Sequence, residues 1–544
     1  MATTGNGAHG GIALRFNEAT KLQYINLDNK PPLYKVYPGL RAISLPDVAE
    51  LQGPQMPTLA AIKGDDAAGS SAPLTLEKLT TLLYHSAAVI RRRQLSDGEV
   101  HYRAAASAGA LYPTEIYVVC GDLEGLRAGV YHFNPRDCTL ARLRNGDLRR
   151  WVASAVGDHA AYPASLVFTT VFWRSAWKYR ERGYRYCYWD LGTIASNMLA
   201  TGNAENLSVR LNFGFVDRML TGYMGIDGQT EAPSLVASLG TPDGMLPDGP
   251  GDVPGALPQE SNDLAAGAIE YPMSAALHAA SPLQTHEDLS NWNAAVANAA
   301  QSEKDELDGT GDRFRPLRSG SDGAFDAGVD IGAIESAGLG DCIRSRGSTR
   351  RFSRDPIPWE AFRSVVDAAG SGMNAPGVEG GYGSTLSLYF IVNAVEGLEP
   401  GAYYYNPFYN GLRLLKSGDF REMAGHLGFE QALPADAAAV AFITADLQQI
   451  ERDLGPRGYR MAQTLAGIIG GRLYLGMHAL GLGATGLTFF DDSVVEFFSP
   501  HAAGQSAVFV VPMGAQGVPN RVRPFRSQVA VSLDSRARGA GQEA

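Results

Sequence analysis

The feature that most constrains the fold of this chain is an internal repeat. Residues 115–135, EIYVVCGDLEGLRAGVYHFNP, recur as residues 387–407, SLYFIVNAVEGLEPGAYYYNP. Both segments read as an apolar strand followed by Glu-Gly-Leu, a short spacer, Gly-x-Tyr and a final Asn-Pro. A Gly-Tyr-Arg triplet also recurs, at Gly183 and Gly458, with nearly the same separation. A repeat with nearly constant spacing predicts two copies of one domain.

Each copy carries the same further elements in the same order. An apolar stretch typical of a buried strand precedes each Gly-Tyr-Arg triplet, at residues 165–172 and 439–445. A long helical pattern follows each triplet, and a closing strand is predicted at residues 234–240 and 507–514. Strands and helices therefore interleave, and we expect two tandem domains of the α+β class.

Stretches rich in Pro, Gly and Asp separate the two copies and indicate linker or surface loop. The predicted divisions are an N-terminal arm (1–73), a first domain (74–240), a linker (241–335), a second domain (336–530) and a flexible tail (531–544).

Charge and cysteine usage exclude several classes of protein. The formal net charge of −11 argues against a nucleic-acid or anionic-membrane surface, since both need excess Lys and Arg. The four cysteines are scattered and form no metal-ligand pattern, and no apolar run is suited to a membrane span or signal peptide. We expect a cytoplasmic protein without a metal site.

An alternating basic segment in the second copy suits a phosphate group. Arg346, Ser348 and Arg350 occupy alternate positions, so in an extended chain their side chains face one way. Arginine binds phosphate through two parallel hydrogen bonds. A solvated basic segment is the alternative interpretation.

Several motifs carry a resemblance to a known family. RAAASAGALYPTEIYVV at residues 103–119 and WKYRERGYRY at 177–186 resemble two segments of tandem nitroreductase-fold dehydrogenases of the SagB/ThcOx type. RGSTRRFSRDPI at 346–357 resembles the opening of nitroreductases. The chain departs from the SagB/ThcOx pattern in having Ala106 for a proline and Arg180 for the glycine after Lys-Tyr. Members of this group are FMN-dependent azoline dehydrogenases of peptide natural-product biosynthesis.

The resemblance implies a fold and a cofactor site. In such enzymes FMN lies at a two-fold dimer interface, and here the two copies would form an intramolecular pseudo-dimer. The implied FMN-binding residues are Arg346, Ser348, Arg350, Arg521, Arg523, Ser107, Ala108, Gly109, Arg103, Thr485 and Gly486. The glycines around Gly486 suit a plain helix C-cap equally well.

The two copies have lost complementary motifs. The first lacks both basic elements, and the second has GGYGSTLSLYF in place of SAGALYP and Asp453-Leu454 in place of Lys-Tyr. One complete flavin site per chain is therefore expected, although two sites stay open as an alternative.

The resemblance implies that Lys178 and Tyr179 are catalytic. Azoline oxidation removes a proton from a ring carbon and a hydride from its neighbour, the latter to flavin N5. A tyrosine titrates near pH 10, so about 4 kcal/mol is needed to use its phenolate at neutral pH. A nearby ammonium favours that anion. Tyr179 is accordingly assigned as the base with Lys178 as its electrostatic partner, and the reverse assignment stays open.

Three functions follow in order of preference. The first is oxidation of thiazoline or oxazoline rings in a ribosomally made peptide, in contact with a cyclodehydratase complex and with further homo-oligomers allowed. The second is a flavin oxidase or reductase on another small natural-product intermediate. The third is a flavin-free scaffold in a peptide-modifying complex.

Overall fold

A computed structural model describes residues 26–48, 51, 53–64, 72–95, 98–246, 255, 257, 259–305, 315–317, 336–378, 385–407 and 409–517. Its strands are β1 (Ala42–Ser44), β2 (Val89–Leu95), β3 (Gly98–Arg103), β4 (Thr114–Cys120), β5 (Gly129–Asn134), β6 (Thr139–Asn145), β7 (Ala164–Val171), β8 (Val209–Asn212), β9 (Glu231–Leu239), β10 (Arg315–Pro316), β11 (Ser387–Val392), β12 (Gly401–Asn406), β13 (Gly411–Ser417), β14 (Ala439–Ala445), β15 (Gly483–Ala484) and β16 (Ser506–Gly514).

The helices between them are α1 (Thr58–Lys63), α2 (Leu76–Ala87), α3 (Arg149–Val156), α4 (Phe172–Tyr179), α5 (Gly183–Ala204), α6 (Asp217–Met224), α7 (Pro272–Ala280), α8 (His286–Asp305), α9 (Leu339–Ser345), α10 (Trp359–Gly370), α11 (Arg421–Leu427), α12 (Ala432–Asp436), α13 (Leu447–Ala479) and α14 (Asp491–Phe498). None of these helices has the length and apolar character needed to cross a membrane.

Two seven-stranded antiparallel sheets with matching topology form the framework. The first has the order β1-β6-β5-β4-β7-β9-β8, and the second has the order β10-β13-β12-β11-β14-β16-β15. Strands β4, β7 and β14 are buried along their whole length, as their continuous apolar sequences require. The predicted α+β class with two copies of one domain is confirmed.

Helices α5 and α13 cross through a pair of glycines and join the two domains. A Cβ atom on Gly192 would lie 2.2 Å from the carbonyl oxygen of Thr464, and one on Gly467 would lie 2.4 Å from that of Trp189. No larger residue permits this approach without displacing backbone. The indole of Trp189 donates a 2.5 Å hydrogen bond to Gln463 across the same contact.

The arm before the first domain is held by a buried ion pair. Lys35 Nζ lies 2.5 Å from Glu231 Oε2 at the start of β9 and donates to the Tyr117 hydroxyl at 2.8 Å. Both charged side chains are buried. The described part of the arm therefore packs on the first sheet.

The stretch predicted as linker contains structure of its own. Helices α7 and α8 lie within residues 241–335, and Trp292 of α8 is buried with its indole donating to the Leu454 carbonyl at 3.1 Å. Aromatic anchoring of this kind explains why part of the polar segment is ordered. The domain limits themselves stay a prediction, and the predicted flexible tail lies outside the described residues.

Candidate active site

Lys178 and Tyr179 are the last residues of α4, which begins where β7 ends. Lys178 is exposed and Tyr179 is half-buried. The Lys178 ammonium lies 5.2 Å from the centroid of the Tyr179 ring. The helix ends here because Arg180 adopts a positive φ of 52°. The two predicted catalytic side chains therefore stand together at the end of one helix.

The surroundings of Tyr179 keep its phenol protonated. Burial, and to a smaller extent the nearby Tyr186 and Asp190, raise the pKa of Tyr179 to about 12. This direction is opposite to the one that a base at neutral pH requires. In these surroundings the phenol is a hydrogen-bond donor.

The predicted flavin-lining turn lies against this pair. Gly109 has a φ of 66° within the 3₁₀ turn Ala108–Ala110. A Cβ atom on Gly109 would lie 2.7 Å from the Tyr179 hydroxyl oxygen and 3.2 Å from Lys178 Nζ. Glycine is required by the backbone conformation and by this close approach. Ser107, Ala108 and Gly109 thus border the Lys-Tyr pair.

Asp190 of α5 holds the turn in place. The Ser107 hydroxyl donates to Asp190 Oδ2 at 2.5 Å, and the Ala108 N–H donates to Asp190 Oδ1 at 2.9 Å. Thr193, one turn further along, donates to the Ala106 carbonyl at 2.7 Å. Burial raises the pKa of Asp190 to about 7. In the sequence Asp190 and Thr193 lie one turn apart, a spacing that fits a pair facing a cleft as well as a helix interior.

Arg346 brings the basic segment of the second domain to the first domain. Its buried guanidinium donates to the Ala104 carbonyl at 3.0 Å, three residues before Ser107. Ser348 is half-buried, Arg350 is exposed, and the intervening Thr349 N–H donates to the Ala484 carbonyl at 3.0 Å. The segment therefore runs between β15 and the first domain.

Arg91 of β2 joins Arg346 and was not predicted. It is buried and donates to the Arg346 carbonyl at 2.6 Å. Its Nε and Nη1 atoms have no hydrogen-bond partner among the described residues. Burial, and then the charge of Arg346, lowers the pKa of Arg91 to about 10. The only signal in the sequence was the run of three arginines at 91–93.

This pair of arginines fits an anionic group. Burial also lowers the pKa of Arg346, and neither guanidinium is paired with a carboxylate of the described residues. Two buried cations without a counter-ion are costly unless an oxyanion such as phosphate binds between or beside them. The residues present are therefore suited to the FMN phosphate.

Thr485 and Gly486 follow β15 and lie close to Arg346. The Thr485 N–H donates to the Pro512 carbonyl at 3.1 Å, and the Gly486 N–H donates to the Tyr474 hydroxyl. The Arg346 guanidinium stands 5.6 Å from the centroid of the Tyr474 ring. The Gly486 amide already has a hydrogen-bond partner. Gly486 would therefore contribute to the site through its position close to Arg346 and not through a free N–H.

Arg103 is buried behind the turn and is tied to the arm. It donates to the Leu33 carbonyl at 2.9 Å and stacks 4.7 Å from the Tyr112 ring centroid. Arg103, Ser107 and Asp190 line one small cavity. The remaining predicted phosphate ligands, Arg521 and Arg523, lie outside the described residues.

Sequence comparison finds that the second domain is similar to a known family. Residues 343–515 match the Nitroreductase family. The chain is 30% identical to the Microcin B17-processing protein McbC of Escherichia coli over 142 residues, which are 25% of this chain and 52% of that protein. It is 31% identical to the trifolitoxin-processing protein TfxB of Rhizobium leguminosarum bv. trifolii over 163 residues, 28% of this chain and 44% of that protein. The chain thus spans about half the length of these two relatives.

Structural comparison extends the likeness to both domains. The crystal structure of a candidate nitroreductase from Anabaena variabilis matches with a TM-score of 0.69 and 24% identity. The match covers 93% of this chain and 100% of that one. At this identity the likeness concerns the fold alone, and the predicted nitroreductase-like architecture is confirmed. Residues 343–515 match the nitroreductase family, and the whole chain is a tandem of two domains with the nitroreductase fold.

Proposed function

We propose that this protein is an FMN-dependent dehydrogenase of the SagB/ThcOx type, which oxidises thiazoline or oxazoline rings to azoles in a ribosomally synthesised peptide. The proposal rests on one observation: motifs that are each retained in only one of the two copies lie next to each other in the structure. Arg346 of the second copy reaches Ala104 of the first, beside the turn at Gly109 that touches Lys178 and Tyr179. Phosphate-binding and catalytic elements from different copies thus form one composite site.

The phosphate of FMN would be held mainly by the second domain. Arg346, Ser348 and Arg350 provide the predicted grip, and the buried, unpaired guanidinium of Arg91 supports adding it from the first domain. Arg521 and Arg523 are proposed to complete this grip. Ser107, Ala108 and Gly109 would run along the flavin, with Arg103 behind them and Thr485 and Gly486 on the other side.

Bound FMN would supply the hydride acceptor, and the chain's own residues would handle the proton. Because the pKa of Tyr179 is raised to about 12, very little phenolate is present at neutral pH to act as a base. Of the two assignments we therefore favour Lys178 as the proton acceptor and Tyr179 as a hydrogen-bond donor that orients the ring. Because Lys178 is exposed at the end of α4, it can reach a substrate that arrives from solvent.

The printed functions of two relatives support a peptide as the substrate. McbC is named for processing microcin B17 and TfxB for processing trifolitoxin. An azoline arises by cyclodehydration of a cysteine, serine or threonine residue in a peptide. A cyclodehydratase is accordingly the kind of enzyme that would supply this substrate and form a complex with this chain.

The test is oxidation of a synthetic thiazoline peptide by FMN-loaded protein, followed as the mass loss of two hydrogens. Lys178→Ala should lower kcat by about 10²–10⁴-fold, as expected for the loss of a positioned proton-transfer group. Tyr179→Phe should lower kcat by a smaller factor, because it removes an orienting hydrogen bond. Their flavin content should match that of the wild type. Tyr162→Phe, which changes a half-buried tyrosine elsewhere in the first domain, is the matched control.

The outcomes separate the remaining candidates. Full activity of both variants would remove Lys178 and Tyr179 from the mechanism. A flavoprotein that leaves thiazoline peptides unchanged but turns over small quinones or amines would favour the second function, a flavin oxidoreductase on another intermediate. This second candidate function is retained because the chain departs from the family pattern at Ala106 and Arg180.

A further inference from the structure

Arg180, the residue after the Lys-Tyr pair, has a backbone conformation that disfavours arginine. Its φ is 52° and its ψ is −136°. Side chains with a Cβ atom rarely adopt these angles, which glycine accepts without strain. The resembling enzymes have glycine at this position. A strained residue that persists beside a reactive pair points to a function for its side chain.

Local contacts of the Arg180 side chain do not account for the strain. Its backbone N–H donates to the Ala176 carbonyl, which any residue except proline could do. Its side chain is exposed and forms no hydrogen bond or ion pair with the described residues. Its charge acts on the phenol of Tyr271, whose pKa it lowers in opposition to burial.

The acidic side chains around this turn are already engaged. Glu181 accepts hydrogen bonds from the Ser274 N–H at 2.7 Å and the Ser274 hydroxyl at 2.6 Å at the start of α7. Asp491 is paired with Arg182 at 2.9 Å and with Arg185 at 2.5 Å. These pairings leave Arg180 as an exposed cation without a carboxylate partner among the described residues.

We propose that Arg180 is a specificity residue that binds a carboxylate of the peptide substrate beside the reacting ring. This inference rests on the proposed peptide substrate of the same site. A guanidinium recognises a carboxylate with two parallel hydrogen bonds. The start of α7 next to Arg180 exposes 73% of Met273, which offers apolar contact to the same peptide.

The test measures binding, so that it does not depend on turnover. Fluorescein-labelled thiazoline peptides are compared by anisotropy on the FMN-loaded protein. Two peptides differ only by Glu or Gln next to the ring, and each is made with a free or an amidated C-terminus. Wild type should bind a carboxylate-bearing peptide about threefold to tenfold more tightly than its amide counterpart. The set shows whether a side-chain or a terminal carboxylate is bound.

Three substitutions separate charge from backbone strain. Arg180→Gln removes the charge and keeps the strain, Arg180→Gly removes both, and Arg180→Lys keeps the charge. Gln and Gly variants should bind the acidic and amide peptides equally, whereas the Lys variant should retain a preference. The Gly variant alone should also melt higher, by about 2 °C. Arg354→Gly, at another exposed arginine with a φ of 65°, is the control and should keep the preference.

Equal binding of the acidic and amide peptides by wild type would overturn the proposal. So would variants that lose affinity for NADP⁺ while their peptide binding is unchanged, because Arg180 would then serve a dinucleotide. Selective binding of the acidic peptide without azole formation would instead contradict the proposed reaction and leave the role of Arg180 standing.

Discussion

At the scale of single residues, the most informative group is the buried carboxyl of Asp190. Its pKa is raised by burial from an ordinary 3.8 to about 7. The folded protein therefore favours the protonated form, while the unfolded chain releases the proton at its ordinary value. The resulting stabilisation is complete below about pH 4 and is lost as the pH rises through about 7.

Asp190→Asn should reveal this dependence, because asparagine cannot ionise and can still pair with Ser107 and Ala108. Between pH 5 and pH 8 the wild type should lose about 2 kcal/mol of unfolding free energy relative to the variant. Urea denaturation of both proteins at the two pH values measures this loss of unfolding free energy. An unchanged difference between them would mean that Asp190 is ionised throughout this range.

At the residue level, local motifs in the sequence named side chains that lie together in the structure, and the sequence did not indicate side chains whose placement depends on the fold. Resemblance to known motifs named Lys178, Tyr179 and Gly109, and the structure brings them together. Arg91 and Asp190 belong to a hairpin and a helix whose sequences are compatible with solvent or core. The role of Arg91 depends on its contact with the other copy, and that of Asp190 depends on its contact with the turn. No spacing in the sequence predicts either contact.

At the scale of elements, the crossing of α5 and α13 depends on glycine. Gly192→Ala places a methyl group 2.2 Å from the Thr464 carbonyl oxygen, so the helices must separate. We expect a loss of about 1–3 kcal/mol or more in unfolding free energy, together with weaker flavin binding. Gly222→Ala in α6 is the control, since a Cβ atom there meets nothing within 4 Å. Equal stability of the two variants would contradict the close crossing.

The arm is a second element whose attachment can be tested. Lys35→Met leaves the buried Glu231 carboxylate without its partner and should cost about 3–5 kcal/mol. Adding Glu231→Gln should recover much of that loss, because no unpaired charge then remains. Urea denaturation of the single and double variants measures both effects. A single variant as stable as wild type would show that the arm is not held by this pair.

The repeat made the strands and helices of the two domains predictable, whereas the helices within the linker were not predicted. Each strand of the second sheet has a counterpart in the first, so the strands predicted in one copy could be compared with those predicted in the other. Helices α7 and α8 have no counterpart, and the sequence of α8 is polar apart from anchors such as Trp292. Such helices form because those anchors are buried against the domains, which a local pattern does not reveal.

At the scale of the whole molecule, the central claim is one composite flavin site built from both copies. The complementary loss of motifs predicted it, and Arg91 and Arg346 from different domains meet where the phosphate would bind. Because each domain supplies only part of the site, its affinity for FMN should depend on residues of both.

The most direct measurement is the amount of FMN bound per chain, by equilibrium titration of wild type and Arg346→Ala. We predict one FMN per chain and at least a tenfold loss of affinity in the variant, since a buried charge-assisted contact contributes about 1.5–3 kcal/mol. Arg452→Ala, at an exposed arginine of α13, is the control. Two FMN per chain, no binding by the wild type, or an unchanged affinity in Arg346→Ala would contradict the account.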